Sequence, residues 1–133
     1  KLDELREYVR ILRTYQGKTP GEISRDFTLR GAIERYLQVS IECALDIAEM
    51  IISGRKLRKP DTYRDTILIL GEAGIIPDKF AREFSLSAGF RNILIHRYGG
   101  IELKKVTEFL NKKLGDFDEF AKYVSAYLRK VHE

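Results

Sequence analysis

A chain of 133 residues fits one domain and can bury a core without disulfides or structural metals. Hydrophobic residues make up 44% and charged residues 33%, the balance of a globular protein with solvated helix faces, which excludes a disordered or membrane-embedded chain. A net charge of +4 and a pI of about 9.2 are mildly basic, too modest for a dedicated nucleic-acid coat.

Leu2, Leu5, Val9 and Leu12 recur at spacings of three and four, which predicts a first amphipathic helix ending near Gly17. Lys18-Thr19-Pro20-Gly21 breaks it. Ile23 and Phe27 lead into a long helix from about Asp26 to Ser53, with Ile33, Leu37, Ile41, Ala44, Leu45, Ala48 and Ile52 along one stripe. Cys43, the one cysteine, lies among these apolar residues and reads as a small buried side chain rather than a reactive thiol. Gly54 is the expected stop, reinforced by the basic turn Arg55-Lys56-Leu57-Arg58-Lys59 and by Pro60.

Asp61 or Thr62 can cap a third helix carrying Tyr63, Ile67 and Leu70 and ending at Gly74. Pro77-Asp78 opens a fourth, whose apolar positions are Phe80, Phe84, Leu86, Phe90, Ile93 and Leu94. Gly99-Gly100 ends it. A fifth helix spans about Ile101 to Leu114, and a last one about Asp116 to Val131 carries Phe117, Phe120, Tyr123, Val124, Tyr127 and Leu128.

No segment joins strict apolar alternation to hairpin turn signals, so a sheet is not expected. The chain reads as a single all-α domain over residues 1–133, an up-and-down antiparallel bundle of about five to six helices. The long helices are apolar over a wider arc than a small monomer needs, which predicts a two-fold homodimer. The longest wholly apolar run, Ile67-Leu68-Ile69-Leu70, is far short of a membrane span. No charged-then-apolar leader opens the chain, and the cytoplasm is the expected compartment. The first residue is Lys1 rather than Met, so the numbering is expected to start inside the natural product.

The segment with chemical content is Gly89-Phe90-Arg91-Asn92-Ile93-Leu94-Ile95-His96-Arg97-Tyr98, which closes the fourth helix. His96 titrates near neutrality and can take or give a proton. Arg91 is always charged, and its fork matches two phosphate oxygens. Together they suit RNA cleavage by the substrate's own 2′-hydroxyl, a scheme that needs no metal. No convincing His and carboxylate cluster offers one, and no cofactor motif is present.

Residues five apart on a straight helix point about 140° from one another, so Arg91 and His96 do not share a face. In-line cleavage also wants both an acid and a base, and the motif supplies one histidine. A two-fold dimer apposing two motifs answers both problems. Structural roles fit the same residues: His96 as a helix-terminal histidine, Arg91 paired with a carboxylate such as Glu83 or Glu102, and Tyr98 as core packing. His132 falls near the chain end and is given no role.

This segment resembles the HEPN superfamily, marked by an arginine followed four to six residues later by histidine. The tyrosine two residues after His96 is similar to the HepT-like toxins. The resemblance extends to Leu29-Arg30-Gly31-Ala32-Ile33-Glu34-Arg35-Tyr36-Leu37-Gln38, to Tyr63-Arg64-Asp65, and to Leu70-Gly71-Glu72-Ala73-Gly74-Ile75-Ile76-Pro77. It implies the toxin component of a toxin–antitoxin system, a metal-independent endoribonuclease acting on RNA at a homodimer cleft. Arg91 and His96 are then the catalytic pair and Asn92 a supporting polar residue. The implied partner is a minimal nucleotidyltransferase antitoxin of the MntA type, which transfers AMP from ATP to Tyr98. A bulky anion there would block the cleft and repel RNA phosphates. Glu34, Arg35 and Glu42 are candidates for the cleft lining. The alternatives are a non-catalytic helical subunit that docks with such a nucleotidyltransferase and helps bind nucleotide, and a purely structural helical dimer.

Overall fold

The structure, a computed structural model, describes residues 1–95 and 103–132. Seven α-helices and no strands occur among the described residues: α1 (Leu2–Arg13), α2 (Pro20–Arg25), α3 (Phe27–Arg55), α4 (Tyr63–Glu72), α5 (Asp78–Ile95), α6 (Leu103–Lys112) and α7 (Leu114–Val131). None is long and apolar enough to cross a membrane.

The predicted stripe of the long helix is buried throughout, and α3 is the spine of the core. Burial extends to Cys43, Ile47 and Ile51, because neighbours cover α3 on more than one side. Helix α1 runs antiparallel to it: Tyr8 meets Tyr36, and Lys1 at the other end reaches Cys43 and Asp46. Helix α7 is antiparallel to α1 in turn. Arg13 pairs with Asp118 at one end, while Lys1 and Val131 line one groove at the other. A run of contacting aromatic rings joins α5, α6 and α7: Phe90 stacks on Phe109, Phe109 tilts against Phe117, and Phe84 meets both Phe117 and Phe120.

Four sequence expectations need correction. The segment after Gly17 is not only a break: Thr19 caps a six-residue helix through a reciprocal box with Glu22, and Ile23 of that helix is fully buried. Gly54 does not stop α3. The helix continues to Arg55, and Lys56 takes the left-handed conformation (φ 53°) while the Leu57 N–H reaches back to the Ile52 carbonyl. Leu57 packs against the core, and that contact holds a lysine where glycine is the usual residue. Finally, Leu86 and Ile93 of α5 are not core positions; both face outward, 61% and 43% exposed. Helix α7 also begins earlier than expected, because Leu114 and Phe117 bury together.

Helices α4 and α5 form the hairpin that matters for function. Its closed end is tight: a Cβ on Gly71 would lie 2.6 Å from the Ala81 Cβ. At the open end the Arg64 side chain lies over Gly89. The turn between them uses Gly74 at φ 75°, a conformation that glycine adopts without a Cβ penalty. Residues 63–65 therefore stand beside residues 89–92.

Candidate functional site

Arg91 lies near the end of α5, where three helices converge on its guanidinium. Its Nη2 donates to Glu42 Oε2 of α3 at 3.2 Å. Its Cζ sits 4.6 Å from the centre of the Tyr63 ring, on the first residue of α4. The other Glu42 oxygen accepts from Gln38 Nε2 at 3.3 Å. Gln38 and Glu42 are four apart, so both project from one face of α3. The Arg91 side chain is 20% exposed, sheltered on two sides yet open to solvent. The described hydrogen bonds use only one edge of its five-donor fork, so the rest can meet an anion.

Tyr63 is held by a built turn. The Thr62 hydroxyl accepts the Asp65 N–H at 3.0 Å and starts α4 at Tyr63. Arg58 then ties the preceding turn to the helix. It donates twice to Asp65, at 2.8 and 2.7 Å, and twice to Glu72, at 3.1 and 2.9 Å. Those bonds hold the Asp65 carboxyl below its usual range, with help from the Asp61 backbone N–H, and hold Glu72 down as well. Between the start of α4 and the end of α5 lies a cleft of about 640 Å³, lined by Tyr63, Arg64, Gly89 and Asn92 among others.

Of the predicted site residues, Arg91 and Asn92 occupy adjoining positions here, Asn92 exposed and in the cleft. His96 and Tyr98, with the Gly99-Gly100 stop, lie outside the described residues. Arg91 pairs with Glu42, 49 residues away, rather than with Glu83; Glu102 lies outside the described residues. Among the other cleft candidates, Glu34 is buried against Arg30 of its own helix and Arg35 is exposed. Sequence reasoning placed Tyr63 as an apolar helix position and missed its contact with Arg91. The available signal was its place in Tyr63-Arg64-Asp65, directly after a capping threonine.

Cys43 is buried, as expected, with Sγ 3.3 Å from the Lys1 carbonyl oxygen, and burial pushes its thiol up. Among the described residues no group of three or more His, Cys, Asp or Glu could hold a metal ion.

The helical frame has counterparts in known proteins. The family model for ribonuclease HepT-like proteins matches residues 5–124. The chain is 29% identical over 105 residues to the mRNA nuclease HepT of Shewanella oneidensis, covering 79% of each chain. It is 25% identical over 133 residues to the tRNA nuclease HepT of Aphanizomenon flos-aquae, covering 100% of this chain and 90% of the relative. A solved structure of a tri-AMPylated Shewanella oneidensis HEPN toxin in complex with an MNT antitoxin superimposes with a TM-score of 0.84 at 25% identity, over 94% of this chain and 93% of that one. The chain belongs to the HepT-like ribonuclease family of HEPN proteins, related to the HepT toxins of MntA–HepT toxin–antitoxin systems.

Proposed function

We propose that this protein is the toxin component of a toxin–antitoxin pair, a metal-independent endoribonuclease that cuts RNA at a cleft between two copies of the chain. The observation that carries this reading is Arg91: a half-sheltered cation, held by Glu42 and Tyr63 beside an open cleft, in a chain of the HepT-like family. Arg91 binds the non-bridging oxygens of the scissile phosphate and stabilises the charge that builds on phosphorus. The 2′-oxygen bonds to phosphorus and the 5′-oxygen leaves. His96 of one copy takes the 2′-hydroxyl proton, and His96 of the other protonates the departing 5′-oxygen. The products are a 2′,3′-cyclic phosphate and a 5′-hydroxyl. Asn92, next to Arg91 and exposed, supports the bound strand.

The dimer is supported by α5 itself. Leu86 and Ile93 are seven residues apart, hence on one face, and both are exposed. A second copy seated on that stripe lies next to the cleft that Gly89 and Asn92 line. Tyr98, two residues past His96, is the acceptor of AMP from a minimal nucleotidyltransferase antitoxin. Relatives of this fold are known in complex with such a partner.

The deciding experiment is incubation of the purified protein with RNA in EDTA, beside Arg91→Ala and His96→Ala. Cleavage by the unaltered protein, with cyclic-phosphate ends, lost in both variants, is the expected result. A folded dimer that leaves every RNA intact but binds a nucleotidyltransferase would replace the enzyme with a docking subunit.

A further inference from the structure

The cleft beside Arg91 contains a cation that the reaction scheme does not use. Arg64, second residue of α4, is exposed and has no ion pair among the described residues. Its neighbour Arg58 is committed to Asp65 and Glu72, a cluster that keeps one net negative charge. Arg64 is different. Its aliphatic stem crosses Gly89, with Cγ and Cδ at 3.9 and 3.8 Å from where a Cβ would stand. Those are ordinary packing distances, so the stem rests on α5 at position 89, and Arg64 lines the same cleft as Gly89 and Asn92.

We propose that this cleft is the subsite for the nucleotide adjoining the scissile phosphate, with Arg64 binding the flanking phosphate and Asn92 the base or ribose edge. The proposal rests on the ribonuclease reading and extends it from bond breaking to strand placement. Three observations carry it. The cleft, at about 640 Å³, is within the roughly 300–1,000 Å³ range of sites that hold small organic ligands. Its uncommitted polar groups, the Arg64 guanidinium and the exposed Asn92 amide, match a phosphate and a hydrogen-bonding edge. It opens directly beside the Tyr63–Arg91 pair, so a strand bound there presents its next phosphate to Arg91. Lys56 and Lys59 are exposed on the turn leading into it and favour an anionic strand; Asp61 and the net negative charge of the Arg58–Asp65–Glu72 cluster oppose one.

The test uses the full chain and a short single-stranded RNA with 2′-O-methyl groups, which block the attacking oxygen and permit binding to be measured without cleavage. Arg64→Gln is expected to weaken binding about three- to tenfold and to reduce the slope of log affinity against log salt by about 0.7, the signature of one lost phosphate contact on a single strand. Cleavage of unmodified RNA by this variant should show a raised KM and an unchanged kcat. Asp61→Asn should tighten binding, and Lys122→Gln, a matched charge loss on the exposed face of α7, should change nothing. The mass in solution of each variant is measured alongside, so that a broken dimer is not read as a lost subsite. Unaltered affinity and salt slope in Arg64→Gln, while the parent protein binds and cleaves, would overturn the subsite alone. A parent protein that neither binds nor cleaves RNA would overturn the ribonuclease reading beneath it.

Discussion

The guanidinium of Arg91 rests 4.6 Å from the centre of the Tyr63 ring while its Nη2 bonds to Glu42, so an aromatic face and a carboxylate fix one cation from two different helices. A cation over an aromatic face gains about 0.5–1 kcal/mol when exposed and about 2 when desolvated. At 20% exposure Arg91 falls toward the upper part of that range. The ring also limits where the fork can point, which matters more for a phosphate that has to be met at a defined angle.

Tyr63→Leu is therefore expected to lower kcat/KM for RNA by about five- to thirtyfold, corresponding to about 1–2 kcal/mol of lost positioning. Tyr63→Phe keeps the ring and should retain nearly all activity. Equal losses in both variants would assign the effect to the phenol hydroxyl and remove the ring–guanidinium contact as its cause. Tyr63 is part-exposed, so neither change opens a core cavity.

The outward stripe of α5 gives a separate expectation about assembly. Leu86→Arg and Ile93→Arg each place a charge where the proposed partner copy sits, while leaving the buried Phe84 and Phe90 untouched. Light scattering at micromolar concentration should show a dimer for the parent and a monomer for the double variant, with circular dichroism unchanged. Cleavage should disappear with the dimer, because one copy supplies one motif histidine. A double variant that remains dimeric would place the interface elsewhere on the molecule.

What the sequence could reveal follows from the distance over which each feature is encoded. The α3 stripe from Ile33 to Ile52 and the Thr62 cap are local patterns, readable within a few residues, and the structure has them. The outward turn of Leu86 and Ile93 was not readable, since an apolar side chain at a plausible helical position looks the same whether it faces a core or a second molecule. Lys56 escaped for a related reason: Gly54 carried the usual helix-stop signal, yet the contact of Leu57 with the core decided where the chain turned. The Arg91–Glu42 pair joins residues 49 apart, and no local rule connects them. Arg91 was singled out from the motif and Asn92 from the resemblance; the setting that holds Arg91 needed the fold.

The Arg58 clamp has a defined pH behaviour. Asp65 and Glu72 are both held below their ordinary values of 3.8 and 4.5 by hydrogen bonds from Arg58. Groups with depressed folded values stabilise the fold fully above their unfolded values and lose that contribution as pH falls through the folded ones. The clamp is thus complete at neutral pH and opens only below about pH 4. Amide hydrogen exchange across residues 56–65 should be flat from pH 7 to 5 after correction for intrinsic rates, then show loss of protection in more acidic solution. Arg58→Gln should show that loss already at neutral pH. Because Arg58 and Glu72 face solvent, added salt should weaken that arm of the clamp as well.

Gly71 tests whether the α4–α5 hairpin positions the site. Alanine would normally stabilise a helix interior by about 1 kcal/mol relative to glycine. At this position its Cβ would stand 2.6 Å from the Ala81 Cβ and 3.5 Å from the Asp78 Cα. Both neighbours belong to the first turn of α5, so no flexible side chain can yield and the helices have to separate. Overpacking of this kind costs about 1–3 kcal/mol, which offsets or exceeds the propensity gain, and Gly71→Val adds bulk and a β-branched penalty. Denaturant unfolding should therefore show Gly71→Ala between neutral and about 2 kcal/mol less stable, and Gly71→Val distinctly worse. The hairpin also sets the spacing of Tyr63 and Arg91 at its far end, so a Gly71→Ala protein that remains folded should still lose part of its kcat/KM for RNA. A variant stabilised by the full helical propensity, with activity intact, would mean that the tight end of the hairpin does not govern the site at the open one.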